Sequence, residues 1–137
     1  MIEIQKVKSG RDLNKFLKLP MQLYQNEPNW VAPLLAEEKK LFNPKKNSFF
    51  NHAEVEHFLA VQDNRLVGRV SAIINHRHNE FHNEDVVFFG FLDFIDDKNV
   101  SRLLLQRVEA FGREKGMTIA RGPMNFSTND SCGMLLE

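Results

Sequence analysis

The sequence has one cysteine, Cys132, so it can form no intrachain disulfide and suits a reducing compartment. It has no apolar run approaching the ~20 residues that a helix needs to span a bilayer. Its first residues, MIEIQKVKSGRD, contain no apolar signal region. Net charge is also missing. Eighteen basic residues balance 18 acidic ones, which removes any general electrostatic pull towards nucleic acid or an anionic membrane and leaves only local patches to consider. Tyrosine and tryptophan occur once each, as Tyr24 and Trp30, against 12 phenylalanines, so the core is expected to be rich in Phe. These absences predict a soluble, cytoplasmic protein with no nucleic-acid or membrane partner.

What is present is ordinary globular material. At 137 residues, 42% hydrophobic and 26% charged, the chain is long enough for one domain over 1–137 with a real core, and too short for two. Residues 2–7 read as an opening strand. Ser9, with Asp12 three residues on, resembles a capping box and starts a helix that turns Leu13, Phe16 and Leu17 to one face. Pro20 either kinks that helix or opens a second one carrying Met21, Leu23 and Tyr24. Residues 26–34, NEPNWVAPL, form a structured loop whose two prolines set backbone angles, with Trp30 and Val31 expected to anchor against the body. A short helix over 35–42 follows, then a turn-rich loop over 43–51 with Phe49 and Phe50 tucked in.

A hairpin comes next. Residues 55–62 carry Val55, Leu59 and Val61 on one face, and Asp63-Asn64 tolerate the positive φ angles of a tight turn. Residues 66–75 return with Leu66, Val70, Ala72 and Ile74 on one face and Arg69 and Ser71 on the other. The polar run 76–85 reads as a loop or a single helical turn. Residues 86–95 are apolar almost throughout, as in a strand covered on both faces. Asp96 or Asp97 caps a helix whose buried stripe is Val100, Leu104, Val108 and Phe111, widened by Leu103 and Leu105. Gly116 is a left-handed stop, Arg113 and Lys115 suit the helix C-terminus, and 117–120 makes a short strand.

Other chemistry-bearing groups carry little by themselves. His78 and His82 have a metal-compatible spacing and His76 is near, but no cysteine is close and Glu80 and Glu84 fall off the shared face, so a solvated loop is the reading. Cys132 follows Asp130-Ser131 and has no cationic neighbour to make it a nucleophile. Lys39-Lys40 and Lys45-Lys46 read as solvated faces. Arg69 is placed to pair with Asp93 across the sheet.

The order strand, helices, hairpin, long buried strand, amphipathic helix, strand resembles the first two-thirds of the GNAT fold of N-acetyltransferases. A closer resemblance, to a bacterial group of GNAT-like proteins, rests on Pro20…Leu23-Tyr24, Pro28-Asn29-Trp30-Val31…Pro33-Leu34, Asn47…Phe49-Phe50, His52-Ala53-Glu54, Gly68-Arg69-Val70, Phe89-Gly90-Phe91, Asp96-Asp97, Gly122-Pro123 and Phe126-Ser127…Asn129-Asp130. It runs through almost the whole chain. Members of that group are considerably longer, so the chain resembles their N-terminal portion. The resemblance implies an α/β (α+β) fold, a mixed and mostly antiparallel sheet of about five strands flanked by helices, without the C-terminal strands and last helix.

The resemblance also implies a cofactor. In an active GNAT domain the long buried strand and the next strand splay apart, and the pantetheine arm of acyl-CoA lies in the gap. The following helix opens on a Gln/Arg-x-x-Gly-x-Gly/Ala loop that holds the pyrophosphate. Carried over, this sets Phe91, Leu92, Asp93 and Phe94, and Asp97, Lys98, Asn99, Val100 and Ser101, beside acetyl-CoA or another acyl-CoA, with Asp93 the candidate base for a small-molecule or peptide amine. The chain departs from the pattern at the loop. Asp96 stands at the Gln/Arg position, Asn99 and Ser101 at the two small positions, and Asp96-Asp97 put carboxylates where the phosphates would sit. Tyr24 is remote in sequence from the C-terminal helix, near which the family's proton-donating tyrosine lies. Two functions therefore stand against each other. One is an acyl-CoA-dependent N-acyltransferase, moving an acetyl group to an amine, or its acyl-CoA-binding half. The other is a catalytically inactive GNAT-like module that presents its hairpin and sheet to a partner. The strand at 117–120 is expected to leave an open edge, so that the chain either pairs it with another copy as a homodimer or is poorly stable alone.

Overall fold

The computed structural model describes residues 1–126. Its elements are β1 (Ile2–Lys6), α1 (Gly10–Leu23), α2 (Leu35–Leu41), a 3-10 turn at Ser48–His52, β2 (Ala53–Gln62), β3 (Arg65–Asn75), α3 (His76–His82), β4 (Val86–Phe94), α4 (Lys98–Glu114) and β5 (Ile119–Arg121). The strands form one five-stranded sheet in the order β1-β2-β3-β4-β5, antiparallel except for the parallel pair β4–β5. The mixed, mostly antiparallel sheet flanked by helices is the one the sequence implied. Ser127, Asn129 and Asp130, which help carry the resemblance, and Cys132 lie outside the described residues.

Local chemistry sets most boundaries. Ser9 accepts the Asp12 N–H at 3.1 Å and opens α1, while Asp97 accepts the Asn99 N–H at 2.8 Å and opens α4. Asp63 and Asn64 take φ of 52° and 64°, which closes the β2–β3 hairpin, and Gly116 ends the α4 segment at φ 81°. The polar run after β3 does more than expected: Asn75 caps it, accepting the His78 N–H at 3.0 Å, and it forms the seven-residue α3. The last strand starts two residues later than the pattern suggests, at Ile119, because Met117 is still bonded back to Gly112 at the helix end.

Two cores lie on opposite faces of the sheet. On one face α4 buries Val100, Leu104, Val108 and Phe111 against Val70, Ala72, Ile74 and Val87; each such side chain contributes roughly 1.5–3 kcal/mol. The other face is covered by α1 and the segment after α2, and phenylalanine dominates it: Phe16, Phe42, Phe88, Phe91 and Phe126 are buried there. Within it the Phe42 ring lies 4.7 Å from Phe91 and 5.2 Å from Phe126.

Two side chains sit differently from expectation. Leu66 packs in the Phe-rich core, not with Val70, because the pairing steps from Ala60↔Gly68 to Val61↔Leu66 and leaves Val67 as a bulge. Beyond a bulge every side chain changes face, so Val67 takes the place beside Val70 that alternation assigns to Leu66. Val31 is not anchored: Trp30 is half-buried, but Val31 is exposed.

Candidate functional site

Polar residues line up on the α1 side of the sheet, across its middle: His57 on β2, Arg69 and Ser71 on β3, and Asp93 on β4. Strict alternation does not put Asp93 there. At the start of β4, Val86 and Phe88 face α1 and Val87 faces α4. The pairing with β3 then runs Ser71↔Gly90 and Arg69↔Asp93, one residue more on β4 than on β3, and Phe91 takes φ 50° within that bulge. The phase reverses: Phe91 and Asp93 face α1, and Leu92 and Phe94 face α4. Gly90 is required at this point, since a Cβ there would collide with the Met124 carbonyl.

Arg69 is the hub. Its Nε and Nη2 each donate to Asp93 Oδ2 at 2.9 Å, and its Nη1 donates to the Phe16 carbonyl at 2.9 Å. Only 7% of the residue is exposed, and its guanidinium lies 4.9 Å from the centre of the Phe16 ring. The pairing of Arg69 with Asp93 that the sequence suggested is therefore present. The Phe16 carbonyl is free to accept because Pro20, four residues on, has no N–H to give it. Helix α1 consequently runs unbroken through Pro20 to Leu23, and no second helix starts there.

The second oxygen of Asp93 is also engaged. Tyr24, at the C-cap of α1, donates its hydroxyl to Asp93 Oδ1 at 2.6 Å. The sequence placed Tyr24 away from the chemistry; the fold brings it to Asp93. Burial, followed by the bond to Asp93, raises the Tyr24 pKa above its ordinary value, so the phenol keeps its proton. Burial lowers the Arg69 pKa while Asp93 opposes it.

Two further groups border this cluster. His57 Nδ1 lies 2.6 Å from Ser71 Oγ, and the His57 ring sits between Phe16 and Phe42, each with its centroid 5.0 Å away. Burial, assisted by the Arg69 charge, pulls the His57 pKa down to about 4, so the imidazole is neutral at physiological pH. Glu38 on α2 shares the inward face with Leu35 and Leu41. Burial raises its carboxyl pKa, with the Arg69 charge pulling the other way. The leucine spacing around Glu38 was a readable signal for it. No sequence signal joined Tyr24, His57 or Ser71 to Asp93.

The other sequence-derived candidates divide between two roles. Phe91 is buried among aromatic rings, and Leu92 and Phe94 are half-buried. The parallel ladder to β5 spans only Val86–Phe88; Met124 then bonds the Phe89 carbonyl at 2.8 Å, and the Asn125 side chain accepts the Phe91 N–H at 2.7 Å. Past Phe91, no strand among the described residues pairs with the outer edge of β4. The residues at the start of α4 are occupied by the helix itself. Asp97 caps it, Asn99 Oδ1 accepts from Arg102 at 3.1 Å, the Lys98 carbonyl accepts from Ser101 Oγ at 3.1 Å, and Val100 is buried. The β4 edge past Phe91, unpaired among the described residues, suits an extended arm with amide groups, such as pantetheine. The carboxylate-capped helix start does not suit a pyrophosphate.

Elsewhere, a broad cleft of about 1020 Å³ opens between α1 and the β2–β3 turn, bordered by Gln22, Gln62, Asn64, Leu66 and Ile95; the Arg69–Asp93 pair does not border it. His78 Nε2 donates to Glu84 Oε1 at 3.1 Å, its ring centroid lies 4.4 Å from that of the tilted His82 ring, and the described residues contain no group of three or more His, Cys, Asp or Glu side chains that could hold a metal ion. No helix of the described residues is long and apolar enough to cross a membrane.

No family model matches the chain. It is 38% identical over 133 residues to a "Bacterial ceramide synthase" of Caulobacter vibrioides, covering 95% of this chain and 34% of that protein. It is 32% identical over 126 residues to Protein YghO of Escherichia coli, covering 92% of this chain and 32% of that protein. The chain thus spans about a third of the length of the curated relatives it matches. Among solved structures, a tandem GNAT protein from the clavulanic acid biosynthesis pathway superposes with a TM-score of 0.65 at 15% identity, over 88% of this chain and 36% of that one. An aminoglycoside acetyltransferase from an uncultured soil metagenomic sample gives 0.61 at 18% identity, over 90% and 78%. The acetyltransferase AAC(6')-Iy, solved with a CoA-linked bisubstrate analogue, gives 0.59 at 19% identity, over 94% and 83%.

Proposed function

We propose that this chain, which has the GNAT-like fold of acetyltransferases over its described residues, forms the acyl-CoA-facing part of an N-acyltransferase that acts on an amine. The carrying observation is that the parallel ladder to β5 ends at Phe88 while β4 continues to Phe94, its outer edge past Phe91 unpaired among the described residues. When bound, acyl-CoA would supply an activated thioester acyl group for the amine nitrogen, with the CoA thiol as the group displaced. The backbone of Leu92–Phe94 would hold the extended arm as an added strand.

Asp93 has both oxygens engaged, so its role here is to position Tyr24 and Arg69 at the site. Glu38, whose affinity for a proton is raised by burial, is the carboxylate better suited to take the amine proton. A ceramide is an amide of a long-chain amino alcohol. The name of the 38%-identical relative therefore fits acyl transfer to an amine and favours a lipid-borne acceptor for the longer protein of which such a chain would be part.

The rival, an inactive binding module, is favoured by one specific observation: Asp97 already satisfies the N-terminus of α4, the end at which the GNAT resemblance would put the pyrophosphate. Calorimetric titration with acetyl-CoA and with a long-chain acyl-CoA separates the two. The acyltransferase reading expects binding that tightens in the double variant Asp96→Gln/Asp97→Gly, in which two carboxylates are gone. No heat in either protein, with the fold retained by circular dichroism, rejects acyl-CoA and leaves the binding module.

A further inference from the structure

The segment Val31-Ala32-Pro33-Leu34 is consecutive, apolar and exposed throughout, with Val31 at 85% and Leu34 at 73% exposure. A run of this kind on a folded surface generally meets something. It is also held in place. The neighbouring Trp30 packs its ring 5.5 Å from that of Tyr24, which is bonded to Asp93, and the loop is pinned by Glu27 N–H to Tyr24 carbonyl and Trp30 N–H to Glu27 carbonyl bonds of 3.0 and 3.3 Å. Val31 and Leu34 therefore project from a loop anchored to the site.

Charge near this tip is uneven although the whole chain is neutral. Helix α2 begins at Leu35, directly after the run, and carries exposed Lys39 and Lys40; exposed Lys45 and Lys46 follow it. A seven-residue helix is about 10 Å long, comparable with a Debye length, so Lys39 and Lys40 lie within electrostatic reach of the tip. Exposed Glu27 and Glu37 offset part of this charge. A four-residue convex tip is far short of the roughly 800 Å² per partner that a stable protein interface requires. It is enough for a bilayer, where a few aliphatic side chains enter the headgroup region and lysines meet lipid phosphates.

We propose that the 26–34 loop docks on an anionic lipid bilayer, with Val31 and Leu34 entering the headgroup region and Lys39, Lys40, Lys45 and Lys46 facing lipid phosphates. The docking stands on exposure and charge. Its consequence, that an amine carried by a lipid would be presented beside Tyr24 and Asp93, rests on the acyl-transfer reading.

Trp30, the single tryptophan, adjoins the proposed insertion and reports on it directly. Phosphatidylcholine vesicles with and without phosphatidylglycerol are titrated into the protein while Trp30 emission and cosedimentation are followed. Docking expects a blue shift and binding with the phosphatidylglycerol vesicles, and quenching by brominated lipid. The double variant Val31→Ser/Leu34→Ser, at exposed positions, should bind about tenfold more weakly or worse; Lys39→Glu/Lys40→Glu should weaken binding and flatten its salt dependence. No binding to the anionic vesicles overturns the inference, as does binding indifferent to Val31→Ser/Leu34→Ser. Self-association without vesicles that the serine variant abolishes also overturns it, in favour of a second copy as occupant. Vesicle binding together with a failed acyl-CoA titration keeps the docking and rejects the acyl-transfer reading; the reverse result does the opposite.

Discussion

Arg69 donates from Nη1 to the carbonyl of Phe16 at 2.9 Å, and Phe16 is the residue whose helical partner Pro20 removes. A proline defect in α1 and a buried cation on β3 thus satisfy each other. The expected consequence is energetic coupling. In a double-mutant cycle of Pro20→Ala and Arg69→Met, followed by urea denaturation, the two changes should depart from additivity by about 1 kcal/mol. Pro20→Ala alone should gain well under the ~3 kcal/mol usual for removing an interior helical proline. Additive effects would show that Arg69 and the Pro20 gap are unrelated.

Tyr24→Phe removes the hydroxyl from Asp93 and little else. It should cost about 1–2 kcal/mol at neutral pH, as for a hydrogen bond to a charged group that remains partly solvated. The pH dependence has a definite sign. The folded Tyr24 pKa is raised above 10.0, so the native state holds this proton more tightly than the unfolded chain does. Its contribution is complete below pH 10 and is lost as pH rises towards the folded value. The gap between wild type and Tyr24→Phe should narrow above pH 10; a gap that widens there contradicts the bond.

Asp93→Ala strips the buried Arg69 of its counter-charge and should destabilise the protein by about 3 kcal/mol, measured by denaturant or thermal unfolding. A loss within ~0.5 kcal/mol, typical of a surface carboxylate, would mean that Asp93 is free for other work.

His57 predicts an acid-side loss of stability. Its pKa falls from 6.5 to about 4 in the folded protein, so below pH 6.5 the unfolded state binds a proton that the native state refuses. Stability should fall by about 2–3 kcal/mol between pH 6.5 and 4 from this group. His57→Gln, which can retain a contact with Ser71, should flatten that segment of the curve relative to wild type. Parallel curves for the two proteins would reject the assignment.

The outer edge of β5 has no partner strand among the described residues, and Ile119 is exposed on it. Edge pairing with a second copy is expected, visible as a concentration-dependent dimer in sedimentation with slowed amide exchange in Ile119–Arg121. A monomer at high concentration whose β5 amides are already protected would show that the edge is covered within the chain.

Much of the architecture was legible because its causes are local. Ser9 and Asp97 cap the helices that follow them, Asp63-Asn64 turn the hairpin, and the Val100–Phe111 stripe repeats at the helical period. The exceptions share a cause. The bulges at Val67 and at Gly90-Phe91 exist only between paired strands, and each reverses the face of the residues beyond it. A sequence read one strand at a time therefore puts Leu66 beside Val70 and has no means to place Asp93 on the α1 side. Val31 is similar: its apolar side chain suggested anchoring, yet Trp30 alone is held, and the loop turns Val31 outward.

By itself the sequence determined the order of elements, the caps, the hairpin turn and the apolar stripe of α4, since these depend on residues a few positions apart. The tertiary structure alone decided that Tyr24 bonds to Asp93 across 69 residues, that Arg69 answers the gap left by Pro20, and that the edge of β4 past Phe91 is unpaired among the described residues. The physical reason is strand register. A hydrogen bond between distant residues forms only when the pairing of whole strands brings them face to face, and a one-residue bulge between β3 and β4 sets which faces meet.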